Sequence, residues 1–399
     1  MTEARRGERT LRGRACVAGV GESAYYKRGK APDPEFVLAL DAILAACADA
    51  GIDPGDVDGF ASYAGDRNEP TRLAAALGCR ELRFANMQWG GGGGGGSGAV
   101  ANAAAAINAG LAECVVVFRA LAQGQFGRFG AGTSAPTVSG GAALSAPYGL
   151  MSAAQQFAMR MTRLMHEHGI SPSTQRAVAL ASYHHAQNNP RAVMHGRPLT
   201  EQDYEASRWI VEPWRLFDCC MENDGAAAIV LVPSERARDL PHPPCHVLGA
   251  AIGGGFRDGA PAQNAPDYAS ACFRTVAPRL YEMAGVTPAD VDVVQAYENF
   301  TGGVVMALLE HGLCSVDDAN EVLQVENLLA PGGRLPLNTS GGNLAECYVH
   351  GFELVTEAVR QIRGTSCNQV PGAAVSLVIS GPMVVPATDV LFGSEDALR

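Results

Sequence analysis

The chain has 399 residues, 47% of them hydrophobic and 18% charged, with a formal net charge of −11. Such a length and apolar content provide for one large domain or two packed halves and exclude a disordered chain. The acidic balance excludes a broad nucleic-acid surface, which needs clustered Lys and Arg against phosphates, and leaves room for a local basic pocket for one phosphorylated ligand.

In chain order, residues 1–25 are rich in Arg but lack the apolar core of a signal peptide. No run reaches the ~18 apolar residues that a membrane helix needs. Eleven cysteines are scattered without a CxxC pair, which reads as reduced, mostly buried thiols. A cytoplasmic protein is expected. Residues 15–21 (ACVAGVG) then read as a buried first strand. Residues 34–50 show helical spacing, with Phe36, Leu38, Leu40, Ile43 and Leu44 on one face.

The next unit recurs. AGIDPGDVDGFASYAG at 50–65 aligns without gaps to AGVTPADVDVVQAYEN at 284–299, an offset of 234 residues, with six of the first nine pairs identical and Tyr63 opposite Tyr297. Each copy follows a helical segment, and the halves end on similar apolar strands at 226–234 and 373–381. A pattern repeated at this distance predicts a duplicated α/β unit. The Pro-rich PHPPCHV at 241–247 is the seam between the copies. The expected halves are 1–240, with a loop region about 120–205, and 241–399. A pseudo-twofold relation would set equivalent strand-end loops against each other and open a pocket at the junction.

Residues 89–106 read WGGGGGGGSGAVANAAAA, with seven consecutive glycines from Gly90 to Gly96. The run follows a predicted strand (RFANMQ) and precedes a helix-favouring segment, with the strand ECVVVFRA after it. It is therefore a strand-to-helix turn inside a packed half. A heptaglycine satisfies GxGxxG trivially, no GK[ST] follows, and no acidic residue ends a second strand at the right distance, which excludes a nucleotide loop. Glycines before a helix N-terminus do expose backbone N–H groups that can hold an oxyanion.

Two further segments carry chemistry. LNTSGGNLAECYVHGFELVTEAV at 337–359 places an Asn, a small-residue turn, a Tyr and a His before an amphipathic helix. QAYENFTGGVV ends a strand on Tyr297 just before a helix. The histidines of SYHHAQNNPRAVMHGR, at 182–197, resemble a metal site only superficially. His184 and His185 point to different helix faces, and His166 and His168 have the wrong spacing for shared ligation.

Together these segments resemble the thiolase superfamily, specifically the sterol-carrier-protein thiolases and the lipid-transfer-protein group of bacterial steroid degradation. The resemblance covers nearly the whole chain. GLAECVVV at 110–117 fixes the register and places Gly93 where the family's nucleophilic Cys opens the helix. The family's HDCF corresponds to Tyr297-Glu298-Asn299-Phe300, and its NPSGGLISKGHPLG to residues 338–351, so that the second family histidine becomes Tyr348. DCCMENDGAAAIV at 218–230 matches the strand entry that closes the first half. What the resemblance implies is a thiolase-like, duplicated αβαβα layered α/β fold whose chemistry departs from thiolysis, because glycine has no side chain to attack a thioester.

With VFRALAQGQFGRFG at 117–130, the two tyrosines resemble the steroid side-chain aldolases of that group. The implied reaction is retro-aldol cleavage of a β-hydroxyacyl-CoA steroid thioester to a steroid ketone or aldehyde plus a short acyl-CoA such as propionyl-CoA. Tyr297 and Tyr348 are the expected base and acid, in an order the sequence leaves open, and a phenol of pKa ~10 needs a neighbouring donor, cation or water relay, for which His350 is the candidate. Gly93, Asn338, Gly341 and Gly381 are the expected substrate and oxyanion positions. No cofactor or metal is expected, since coenzyme A is part of the substrate. The resemblance also implies a homodimer joined by a small OB-fold and zinc-ribbon protein or a hydratase subunit. The alternative is a non-catalytic acyl-CoA or lipid-binding scaffold that has lost its nucleophile.

Overall fold

The protein is described here by a computed structural model covering residues 10–90, 92–126, 137–258 and 267–399. Gly91 and the end of the 117–130 stretch lie outside the described residues. Nine main strands are β1 (Ala15–Glu22), β2 (Gly59–Tyr63), β3 (Phe84–Gln88), β4 (Val115–Ala122), β5 (Asn223–Pro233), β6 (Cys245–Gly253), β7 (Val293–Ala296), β8 (Val375–Ser380) and β9 (Ala387–Gly393). They form one mixed sheet in the order β7-β8-β9-β6-β1-β5-β4-β2-β3, and the short strand Tyr26–Lys27 adds to β5.

The order is a palindrome about the β6·β1 contact. Outward from it, the first half runs β1-β5-β4-β2 and the second β6-β9-β8-β7, each with two antiparallel pairings followed by a parallel one. β1 and β6 are themselves antiparallel, Cys16 facing His246. The similar apolar strands at 226–234 and 373–381 are therefore not equivalent. Position in the sheet matches β5 to β9, and β8 to β4. Alternating small and β-branched residues suit any strand buried on both faces, so that composition alone does not distinguish them.

The 50–65 and 284–299 repeat is structural as well as sequential. Both copies form a short 3-10 turn opened by proline, Pro54–Asp56 and Pro288–Asp290, and both enter a strand. Asp58 accepts from the Cys114 N–H at 2.9 Å at the entry to β4; Asp292 accepts from the Ala374 and Val375 N–H groups at 2.8 and 2.9 Å at the entry to β8. The second Asp of each DVD triplet thus pins the neighbouring strand, satisfying donors that the ladder leaves open.

The main helices among the described residues are α1 (Glu35–Ala50), α2 (Gly96–Asn108), α3 (Ala153–His168), α4 (Pro172–Asn188), α5 (Ala277–Ala284), α6 (Thr301–Glu310) and α7 (Phe352–Arg363). α1 covers β1, β5 and β4 from outside, and α5 covers β6 and β9. A side chain at Gly19 or Gly21 would collide with the α1 backbone at Ala46, so this helix lies unusually close to its sheet. Between the two half-sheets run α2 and α7, each touching strands of both halves. α2 is buried over most of its surface because Ala99, Ala103, Ala104 and Ala106 present little volume to either sheet, with Ala105 and Asn108 left exposed. The result is the α-β-α-β-α layering. Among the described residues of the 120–205 region, α3 and α4 pack against α6.

Candidate active site

The glycine turn, the end of β7 and the segment before α7 converge at the middle helix layer. β7 carries its ladder one residue further, as the Tyr297 N–H donates to Ile379 O at 2.9 Å. Asn338 clamps the preceding residue, its amide accepting from Ala296 N at 2.7 Å and donating to Ala296 O at 2.8 Å. Tyr297 is thereby aimed inward, 3% exposed. Its ring lies between two glycines: a Cβ at Gly93 would overlap ring atoms Cε2 and Cζ, and a Cβ at Gly351 would touch Cδ2. Gly351 also holds φ +81°, in the left-handed region that favours glycine.

Tyr348 meets this ring from the other side. Its N–H donates to Asn223 Oδ1 at 2.9 Å, and the two phenol oxygens stand 2.8 Å apart, with ring centroids 6.0 Å apart and planes tilted by 44°. Burial raises both phenols well above their ordinary pKa. The Cys220 thiol beside them works in the same direction, whereas the Tyr348 hydroxyl and the Gly93 N–H pull Tyr297 partly back. Both phenols stay protonated at neutral pH.

Carboxyl groups lie behind the pair. Glu298 accepts from Asn343 N at 3.0 Å and Ser182 Oγ at 3.2 Å, and its own N–H donates to Asn343 Oδ1 at 3.1 Å. Asn343 Nδ2 donates to Glu353, which also accepts from Val349 N at 3.2 Å. Burial lifts Glu298 to about 7 and Glu353 well above the usual carboxylate range. Glu353 thus keeps its proton at neutral pH, whereas Glu298 gives its proton up as pH rises through about 7.

His350 stands edge-on to Tyr348, ring centroids 5.4 Å apart. Burial, then the Arg119 and Arg67 charges, hold its imidazole well below its ordinary pKa. The cation near the site is the Arg119 guanidinium, not an imidazolium.

Gly93, Tyr297, Tyr348, His350 and Gly381 are brought together, Gly381 with its backbone in contact with that of Gly94. Two expected oxyanion positions, Asn338 and Gly341, make other contacts in this structure. Both ends of the Asn338 amide bond Ala296, which aligns Tyr297. Gly341 is a packing turn: at φ +109°, a Cβ there would press on Ala186 of α4. At the glycine turn itself, Ser97 N–H is capped by Ser380 Oγ at 3.1 Å. His185 is a core histidine whose Nε2 accepts from Ala330 N at 2.9 Å.

Sequence reasoning missed Arg119, Asp66, Cys220, Asn223, Glu298 and Asn343. One signal was available: an arginine in the apolar strand VVVFRALA needs a buried partner.

Comparison with known proteins supplies the family. The chain is 39% identical over 393 residues, 96% of its length and 99% of the relative's, to the steroid side-chain-cleaving aldolase of Thermomonospora curvata. The chain belongs to the steroid side-chain-cleaving aldolases of the thiolase superfamily. A second relative in this aldolase family, the 17-hydroxy-3-oxo-4-pregnene-20-carboxyl-CoA lyase of Mycobacterium tuberculosis, is 37% identical over 401 residues, covering 96% of this chain and all of that one (100%). The solved Ltp2-ChsH2(DUF35) aldolase superposes with a TM-score of 0.89 at 38% identity, covering 97% of this chain and 99% of that one. Residues 254–391 match the thiolase C-terminal domain-like family. Human mitochondrial 3-ketoacyl-CoA thiolase shares the fold, with a TM-score of 0.68 at 15% identity.

Proposed function

We propose that this chain is a carbon–carbon lyase that cleaves a β-hydroxyacyl-CoA steroid thioester by retro-aldol reaction, releasing a steroid ketone or aldehyde and a short acyl-CoA such as propionyl-CoA. The observation that carries the reading is the 2.8 Å phenol pair of Tyr297 and Tyr348 beside a glycine in the nucleophile turn. Retro-aldol cleavage needs proton transfers and enolate stabilisation but no nucleophile.

The balance of the step is simple. In one concerted relay, one phenol oxygen accepts the β-hydroxyl proton while passing its own proton along the 2.8 Å hydrogen bond to the second phenol, which gives its proton to Cα. The Cα–Cβ bond breaks in the same event, its electron pair shifting through enolate character on the thioester into the new Cα–H bond and leaving a carbonyl on the steroid. This relay passes through no free phenolate, which suits two phenols held above their ordinary pKa by burial. An oxyanion developing at this turn would draw on backbone N–H groups where Gly94 meets Gly381, since the Gly93 N–H is turned to the Tyr297 phenol. The reaction needs no bound cofactor, since coenzyme A enters and leaves with the acyl group.

The relatives' names support the substrate class: one is a steroid side-chain-cleaving aldolase, another a lyase of a 17-hydroxy-steroid carboxyl-CoA. A working assembly of a homodimer with a small OB-fold, zinc-ribbon partner, in the cytoplasm, fits a structural neighbour described with a DUF35 component. Among the described residues no helix is long and apolar enough to cross a membrane. The test is release of short acyl-CoA from a 17-hydroxy steroid-22-oyl-CoA by the chain with its partner, and its loss in Tyr297→Phe and Tyr348→Phe.

A further inference from the structure

Arg119 is a charged residue in the middle of β4, 2% exposed, among strands that are otherwise apolar. Its guanidinium joins two groups. Nη1 donates to Asp66 Oδ2 at 2.7 Å, while Nε and Nη2 both approach His350 Nδ1, at 3.1 and 3.0 Å. Asp66 Oδ2 also accepts the Ala120 N–H at 3.1 Å, which fixes the carboxylate to the same strand. An arginine side chain carries only donors and stays protonated, so the His350 Nδ1 that faces it must present its lone pair. The proton of a neutral imidazole then sits on Nε2, at the other edge of the ring. The backbone repeats the restraint: His350 holds φ +55°, and its carbonyl accepts from Tyr63 Oη at 2.8 Å.

We propose that the Arg119–Asp66 pair is a positioning device that fixes His350 as a neutral Nε2–H donor beside Tyr348, so that this histidine neither accepts the substrate proton nor becomes a cation during turnover. Among the described residues, the charged and titratable groups shown facing His350 include Arg119, with Asp66 behind it, Arg67, Tyr63 and Tyr348. Two of these are permanent cations, and the Asp66 carboxylate reaches the ring only through Arg119. Arg119 is thus a positioning residue acting through His350. The catalytic value of this assignment rests on the retro-aldol reading; the tautomer itself does not.

The experiment is nitrogen NMR of the full chain labelled at its histidine ring nitrogens, with the His350 signals assigned from their absence in His350→Gln. The expected result is an acceptor-type Nδ1 and a protonated Nε2, unchanged from about pH 5.5 to 8.5, a window that spans the ordinary histidine pKa. A His350 that titrates within that window, or that carries its proton on Nδ1, overturns the proposal. In the charge-balanced Arg119→Met/Asp66→Asn variant, His350 should begin to titrate or to exchange tautomers, and kcat should fall about tenfold or more with KM little changed. Arg119→Lys, which keeps the charge and a donor, should restore much of kcat and the fixed tautomer. A double variant with native tautomer, kcat and pH profile would reduce Arg119 to a structural ion pair. Absence of carbon–carbon cleavage by the native chain would defeat the functional reading and leave the tautomer result standing.

Discussion

The ring of Tyr297 occupies the space that a side chain at Gly93 would fill, and Gly351 closes the ring from the opposite side. In a thiolase-like fold the first position belongs to the nucleophilic cysteine. Here the loss of one side chain and the gain of another are a single packing event. Restoring the cysteine therefore cannot restore thiolysis, since thiol and ring need the same volume. Gly93→Cys should form no acyl-enzyme with an acyl-CoA, as read by intact-protein mass. It should also lose stability by about 1–3 kcal/mol in denaturant unfolding, the usual cost of overpacking.

The same fit can be tested from both sides. Gly351→Ala should destabilise the chain through both its positive φ and its contact with Tyr297. Combined with Tyr297→Ala, the steric part of the cost should vanish and only the backbone part remain, a coupling of about 0.5–3 kcal/mol in a double-mutant cycle. Strict additivity would show that the ring does not press on this turn.

The phenol relay makes a statement about pH. Burial holds both phenols above their ordinary pKa, so their protonation does not change through the neutral range. The cleavage rate should stay nearly flat from about pH 6 to 9, whereas one phenolate base would give about tenfold per pH unit below its pKa. Tyr297→Phe and Tyr348→Phe should each lower kcat by about 10²-fold or more, because either change interrupts the same relay. A variant that retains full turnover would exclude its tyrosine from the chemistry.

Stability should carry the mark of Glu298, whose pKa burial lifts from 4.5 to about 7. Between those values the folded chain keeps a proton that the unfolded chain has released. This contribution is fully present below pH 4.5 and is lost as pH rises through 7. Glu298→Gln has no such proton to lose. The stability of the native chain relative to the variant should therefore fall from pH 5 to pH 8 in urea unfolding. A difference that grows with pH would contradict the buried, neutral carboxyl.

Much of this architecture was legible in the sequence, for reasons that particular residues make clear. The DVD triplets of the repeat identified equivalent strands because Asp58 and Asp292 perform the same local task, and local tasks leave local patterns. Tyr297 and Tyr348 could be placed because each ends a segment of definite register. The pairing of 226–234 with 373–381 failed because sheet order is set by distant partners, to which an apolar run carries no address. The contacts of Asn338 and Gly341 were out of reach for a related reason: a turn segment shows which residues are close in sequence, not which backbone an amide will grip. Arg119 was visible as an anomaly in its strand, but its link to His350 spans 231 residues and exists only once the sheet has formed.

The central claim is that a phenol pair on a nucleophile-free thiolase fold breaks a carbon–carbon bond. Its most direct test is quantitative product analysis after mixing the chain and its partner with a 17-hydroxy steroid-22-oyl-CoA. The account predicts equal amounts of a steroid carbonyl compound and a short acyl-CoA, both lost in Tyr297→Phe and in Tyr348→Phe. Tight binding of the thioester with neither product formed would contradict it, and would mark the chain as a binding scaffold.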